Sequence, residues 1–146
     1  MNQLELQGLL RNTWGRWDHK AIEAVLTAND QCEYQVKFYG EPGRADQAVA
    51  AGGYASSQVS IPAGSFLYGL SHSTAGAQFR FQLTDLSLGH ELFNMPIENE
   101  ALRATPWYLP ELYPVVAPGI FRCEFWSTLG SAAFVQMILC VAEPRS

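Results

Sequence analysis

Charge is what this chain has least of. Lys, Arg, Asp and Glu make up 16% of its 146 residues, against about 25% in an average soluble domain. The shortage is concentrated. Thirty-three consecutive residues between Asp46 and Arg80 carry no formal charge, His72 aside, and Phe125 to Ala142 adds eighteen more. Basic residues are the scarcer kind, 9 against 14 acidic ones, with no block of three and a net charge of -5. A duplex nucleic-acid binder needs a basic footprint to displace counterions, so no nucleic-acid partner is expected. A membrane surface asks for a basic amphipathic stretch, which is also missing. Long hydrophobic runs are absent too: the longest, Ala132 to Ala142, has eleven residues and contains Gln136, where a spanning helix needs about 20. The start, "MNQLELQGLLRNTWGRW", lacks the charged n-region and apolar h-region of a signal peptide. The expectation is a soluble chain, made in the cytoplasm and not exported by this route.

The residues of catalytic and metal chemistry are present but not arranged for it. Cys32, Cys123 and Cys140 form an odd set with no CxxC and no short spacing to histidine, the usage of buried, reduced thiols. Among His19, His72 and His90, none has a second His, a Cys or a carboxylate at ligand spacing. "GHEL" lacks the second His that makes a zinc helix plausible. Ser71, His72 and Ser73 adjoin, but neighbours on a strand point to opposite faces, and "AGSFLYG" lacks the GxSxG spacing of a nucleophile elbow. "IPAG" and "APGIF" are turns with no Lys-Ser/Thr after them, not phosphate cradles. The paired carboxylates are Asp85 with Glu91, and Glu98 with Glu100, the latter pair in a polar loop, "IENEALR", where they read as solvated. No enzyme, cofactor or metal site is expected.

What is present is β pattern. "CEYQVKFYG" alternates Tyr34, Val36 and Phe38 against Gln35, Lys37 and Tyr39, the period of a half-buried strand. A loop rich in Gly and Ala follows, "EPGRADQAVAAGGYASS". Further strands are expected over Gln58–Ile61, Ser65–Leu70, Ala77–Thr84, Ile120–Trp126 and Ala132–Ala142. In "QFRFQL" Phe79, Phe81 and Leu83 face one way, Gln78, Arg80 and Gln82 the other. Two regions repeat one another at a spacing of 54 residues, "IPAGSFLYGLSHSTAGAQFRFQL" and "APGIFRCEFWSTLGSAAFVQMIL". Each has a Pro-Gly start, a strand, a tetrapeptide ending in Gly (Ser73–Gly76, Ser127–Gly130) and a return strand. The expectation is a duplicated hairpin, one in each sheet of an all-β, jelly-roll-like antiparallel β-sandwich.

Residues 1–31 stand apart as an N-terminal arm, leaving 32–146 as the sandwich domain. Within the arm "HKAIEAVLTAND" predicts a short amphipathic helix with Ile22, Val25 and Leu26 on one face. Trp14 and Trp17 flank Gly15 outside any strand pattern and need a surface to lie on. At the other end, "TPWYLPELYPVVAPGIF" holds four prolines in seventeen residues. Each removes a backbone donor, which excludes a helix and any central strand. Its aromatics are too many for a solvated loop, so it reads as a long connection crossing between sheets into the second hairpin.

"IPAGSFLYGLSHSTAGAQFRFQLTD…G…LFNMPI" followed by "TPWYLPELYPVVAPGIFRCEFWSTLGSAAFVQMILCVAEP" resembles small β-sandwich structural proteins of tailed-bacteriophage virions, over roughly residues 58–144. The resemblance implies a capsid cement (decoration) protein on the virion surface, bridging subunits of the major capsid protein, itself a homotrimer. A head–tail or tail component is the alternative within that role. From another class, a carbohydrate-binding module with Trp107 and Tyr108 as its platform is the competing expectation. Interface cores are depleted in charge and enriched in aromatics, and a few aromatic anchors dominate their energy. Trp14, Trp17, Trp107, Tyr108 and Tyr113, all outside the expected strands, are the candidate interface residues.

Overall fold

The computed structural model describes residues 19–30, 32–40, 49, 52–73, 78–99, 107–128 and 135–145. Among these residues one helix, α1 (His19–Asp30), precedes nine strands: β1 (Tyr34–Gly40), β2 (Tyr54–Ser60), β3 (Phe66–Ser73), β4 (Phe79–Asp85), β5 (His90–Glu91), β6 (Ile97–Glu98), β7 (Trp107–Pro114), β8 (Ile120–Ser127) and β9 (Gln136–Pro144). They form two antiparallel sheets. The first runs β1-β9-β3-β7 and the second β2-β8-β4-β5, with β6 also paired to β4. This strand order is that of a jelly roll, and the chain is an all-β sandwich.

Period-2 alternation builds the core. Phe79, Phe81 and Leu83 of β4 and Phe121, Cys123 and Phe125 of β8 point from the second sheet onto Met137, Leu139 and Val141 of β9 in the first. Phe81 meets Phe125 edge-on, ring centroids 5.4 Å apart, the arrangement that the ring quadrupole favours. A bulge in β3 between Leu67 and Gly69 keeps both Leu67 and Leu70 in this interior, while Tyr68 turns outward.

The run from Val135 to Ala142 is apolar on both faces because β9 is covered on both. Its outward Cys140 and Ala142 join Tyr34, Tyr68 and Leu112 under Ile22 and Leu26 of α1. Those two helix residues are 0% and 1% exposed, and burying each contributes roughly 1.5–3 kcal/mol. The amphipathic helix expected over 19–30 is therefore a latch on the outer face of the first sheet. Burial there pushes the Cys140 thiol up to about 12, so it stays protonated and inert. Cys123 is buried as well, whereas Cys32 is exposed.

Three expectations are corrected. The repeated units are not hairpins within single sheets: β3 and β4 lie in opposite sheets, as do β8 and β9. The units pair with one another instead, β3 with β9 and β4 with β8. Turn chemistry fixes where the chain reverses but not which sheet receives the next strand. The proline-rich segment is not a bare connection but an edge strand, β7, paired with β3 alone among the described strands. Proline is tolerated there because an edge position has no partner for the missing donor. And the last four residues of the Gly/Ala-rich loop are strand: β2 begins at Tyr54.

The two Pro-Gly turns brace each other. Ile61 N–H donates to Gly119 O at 2.8 Å, Gly64 N–H to Val115 O at 2.9 Å, and Val115 N–H to Ser65 O at 2.8 Å. Gly119, at φ +74°, approaches so closely that a Cβ there would lie 2.0 Å from Ile61 O.

Candidate functional site

The residues singled out as anchors separate. Trp14 and Trp17 lie outside the described residues. Trp107 is half-buried and packs on Phe93, centroids 5.9 Å apart, against the main core. Tyr113 stacks edge-on to Phe121 at 6.1 Å, and its hydroxyl donates to Asp85 Oδ2 at 2.6 Å. Asp85 is 1% exposed and also accepts the Ser87 N–H at 3.0 Å. This bond ties β7 of one sheet to β4 of the other. Burial, then the Asp85 carboxylate, pushes the Tyr113 hydroxyl well above its ordinary value, so it remains a donor. Tyr108 stands opposite Gly69 in the register. Trp107 and Tyr113 thus spend their rings inside their own sandwich.

Between β5 and β7 the sandwich edge opens into a groove of about 440 Å³, lined by His90, Glu91 and Leu92 on one side and Leu109, Glu111 and Tyr113 on the other. The register explains it. Leu67 pairs with Tyr113 and Gly69 with Tyr108, so Leu109 to Leu112 bulge out of β7 opposite a single residue of β3. Its carboxylates and imidazole can accept hydrogen bonds from a ligand. Among the described residues, no group of three or more His, Cys, Asp or Glu has the geometry to hold a metal.

A second polar cluster lies at the β1–β9 end. Glu143, 4% exposed, accepts from Gln35 Nε2 at 3.0 Å and Lys37 Nζ at 3.1 Å, and from the Tyr39 hydroxyl. Burial alone would raise its pKa, but the donors outweigh that and hold the carboxyl below its ordinary value. Tyr39 is pushed up to about 12 by burial and by the same carboxylate.

Two aromatics stand exposed among the described residues, Phe38 on β1 and Tyr54 on β2. Tyr54 is 52% exposed; its ring lies 5.3 Å from that of Trp126, and its hydroxyl donates to Glu124 Oε2 at 2.5 Å. Arg122 Nε reaches Glu124 Oε1 at 3.3 Å. Sequence reasoning passed over Tyr54 because its neighbours are Gly, Ala and Ser. Trp126 fell inside an expected strand.

Unpaired backbone at a sheet edge is a template for another chain, and edges are normally blunted. Three edges here are. On β1, the N–H of Tyr34 donates to Thr27 Oγ1 at 3.0 Å and that of Val36 to Glu23 Oε1 at 2.7 Å, both from α1. On β7, Pro110, Pro114 and the bulge interrupt the ladder. On the remaining side of the second sheet, β5 and β6 have two residues each. The fourth edge is β2, seven residues with neither proline nor charge, neighboured only by β8 among the described strands.

No protein-family model matches this chain, and no curated protein matches it.

Proposed function

We propose that the protein is a non-enzymatic structural component of a tailed-bacteriophage virion, in the first place a cement protein on the capsid surface that bridges major capsid subunits. The observation that carries this reading is β2: an uncharged edge strand, neighboured only by β8 among the described strands, within the longest charge-free stretch of the sequence and with its own Tyr54 exposed. An exposed aromatic on a strand without charged residues is in keeping with interface composition, which favours aromatics over charge. Repetition over a symmetric shell lets many modest contacts act together. The test is to mix the purified protein with heads assembled from the major capsid protein of the phage that encodes it. Co-sedimentation and a higher rupture temperature are expected. Heads that neither bind it nor gain stability overturn the reading, and binding to tails or tailless necks would move it to the head–tail alternative.

Tyr54 and Trp126 favour one second reading. Two aromatic rings beside a carboxylate and a guanidinium provide stacking and hydrogen bonding of the kind a sugar ring takes. This shifts the platform of a carbohydrate module from Trp107 and Tyr108 to the outer face of the second sheet. Quenching of tryptophan fluorescence by a glycan, lost in Trp126→Ala and kept in Trp107→Phe, would establish it.

A further inference from the structure

Ladder parity determines which groups of β2 are open. Ser127 N–H donates to Gly53 O at 2.9 Å and Ile61 N–H to Gly119 O at 2.8 Å, with continuous register between them. Bonded pairs alternate along an antiparallel ladder, so Ala55, Ser57 and Val59 exchange bonds with β8. Tyr54, Ser56, Gln58 and Ser60 therefore turn their N–H and C=O groups to the side away from β8, where no other described strand pairs, and all four are exposed.

We propose that this edge pairs antiparallel with the same edge of a second copy of the chain, about a two-fold axis through Ser57. Tyr54 then bonds Ser60 of the partner subunit, and Ser56 bonds Gln58 of the partner subunit. Every open N–H and C=O of β2 finds a partner. Three observations select a second copy over a foreign strand. No residue of β2 is charged, so two identical strands meet without like-charge repulsion. The Ser57 Oγ is buried and has no hydrogen-bond partner. On the axis it faces its own symmetry mate at a non-bonded pair, where Cα atoms lie about 4.5 Å apart, and the two hydroxyls can bond each other. The remaining pairs set large against small, Tyr54 against Ser60 of the partner subunit and Val59 against Ala55 of the partner subunit. The result is a closed isologous pair, joining two five-stranded sheets into one, and not the trimer that the resemblance implies. The inference deepens the assembly reading by naming the occupant of this edge. It is tested on the isolated chain, so its failure and that of capsid binding are separate results.

The experiment is the solution mass by light scattering, with melting temperatures recorded to show that each variant is folded. The wild-type chain is expected at twice its chain mass. Ser56→Lys with Gln58→Lys sets lysine against lysine across the axis and should give a folded monomer whose cooperative melt is lowered only by the lost pairing. Ser56→Glu with Gln58→Glu should do the same. Mixing these two variants should restore the pair, and Ser56→Glu with Gln58→Lys should pair alone, since each Glu meets a Lys. A wild-type monomer at the highest soluble concentration, a wild-type trimer, or a dimer that survives the double-lysine change would each overturn the proposal.

Discussion

The stretches β2–β3–β4 and β7–β8–β9 follow the same path, yet they differ at their first strands. Each starts on an edge, passes a Pro-Gly turn, and crosses the sandwich twice, and the two interlock as β3 on β9 and β4 on β8. The central strands stay alike because each is held by two neighbouring strands and at least one buried face. An edge strand is held by one. β7 has accordingly taken up prolines and a bulge, while β2 keeps a continuous register with β8. Resemblance between repeats persists where packing is shared and fades where only solvent is met.

The two turns give the sharpest way to break that equivalence. Gly64 and Gly119 both have positive φ, +87° and +74°, but a Cβ at Gly64 meets nothing nearer than Pro144 Cγ at 3.8 Å, whereas at Gly119 it strikes a backbone oxygen. Gly119→Ala should cost about 3 kcal/mol or more in urea unfolding, and Gly64→Ala about 1 kcal/mol. Equal costs would show that the close approach of the turns is not what distinguishes them.

A smaller effect separates the tyrosine–carboxylate bonds of the two edge strands. Tyr113→Phe strands the buried Asp85 carboxylate with only the Ser87 N–H, and should lower stability by about 2 kcal/mol. Tyr54→Phe removes an exposed bond to Glu124 and should cost no more than about 0.5 kcal/mol. A chemical denaturation pair measures both, and similar losses would mean that the link between the sheets adds nothing special.

Smallest is the pH response of the Tyr39–Glu143 pair. Tyr39 is raised from near 10 to about 12, so its contribution is full below pH 10 and disappears as pH rises toward 12. Glu143 is lowered, so its contribution is full above the unfolded carboxyl value and is lost as pH falls through the folded one. Tyr39→Phe should cost about 1 kcal/mol at neutral pH and flatten both flanks of the stability profile. Flanks unchanged by the substitution would assign the pH dependence to other groups.

The fold was legible where burial wrote a period. β4 and β8 alternate cleanly, and α1 shows its stripe in Ile22 and Leu26. β7 was hidden because its prolines mark what a strand cannot do at the centre of a sheet, and say nothing against an edge. β2 was half hidden because an exposed strand of Tyr, Ala, Ser and Gln has the composition of a loop. The same exposure makes it the candidate site, so fold and function were obscured there by one cause. The Tyr113–Asp85 bond, between residues 28 apart in sequence, depends on which sheet each strand joins, and local pattern does not carry that.

The contact of α1 with β1 also has a bearing on how large an assembly can grow. Thr27 and Glu23 occupy backbone donors that an added strand would need. A subunit with one open edge can only pair. With a second opened on the other sheet, each copy could accept a neighbour on both sides, and pairing would run on into a fibre. On the proposed pairing, the helix leaves β2 as the one open edge among the described strands, and acts as a chain terminator as much as a latch.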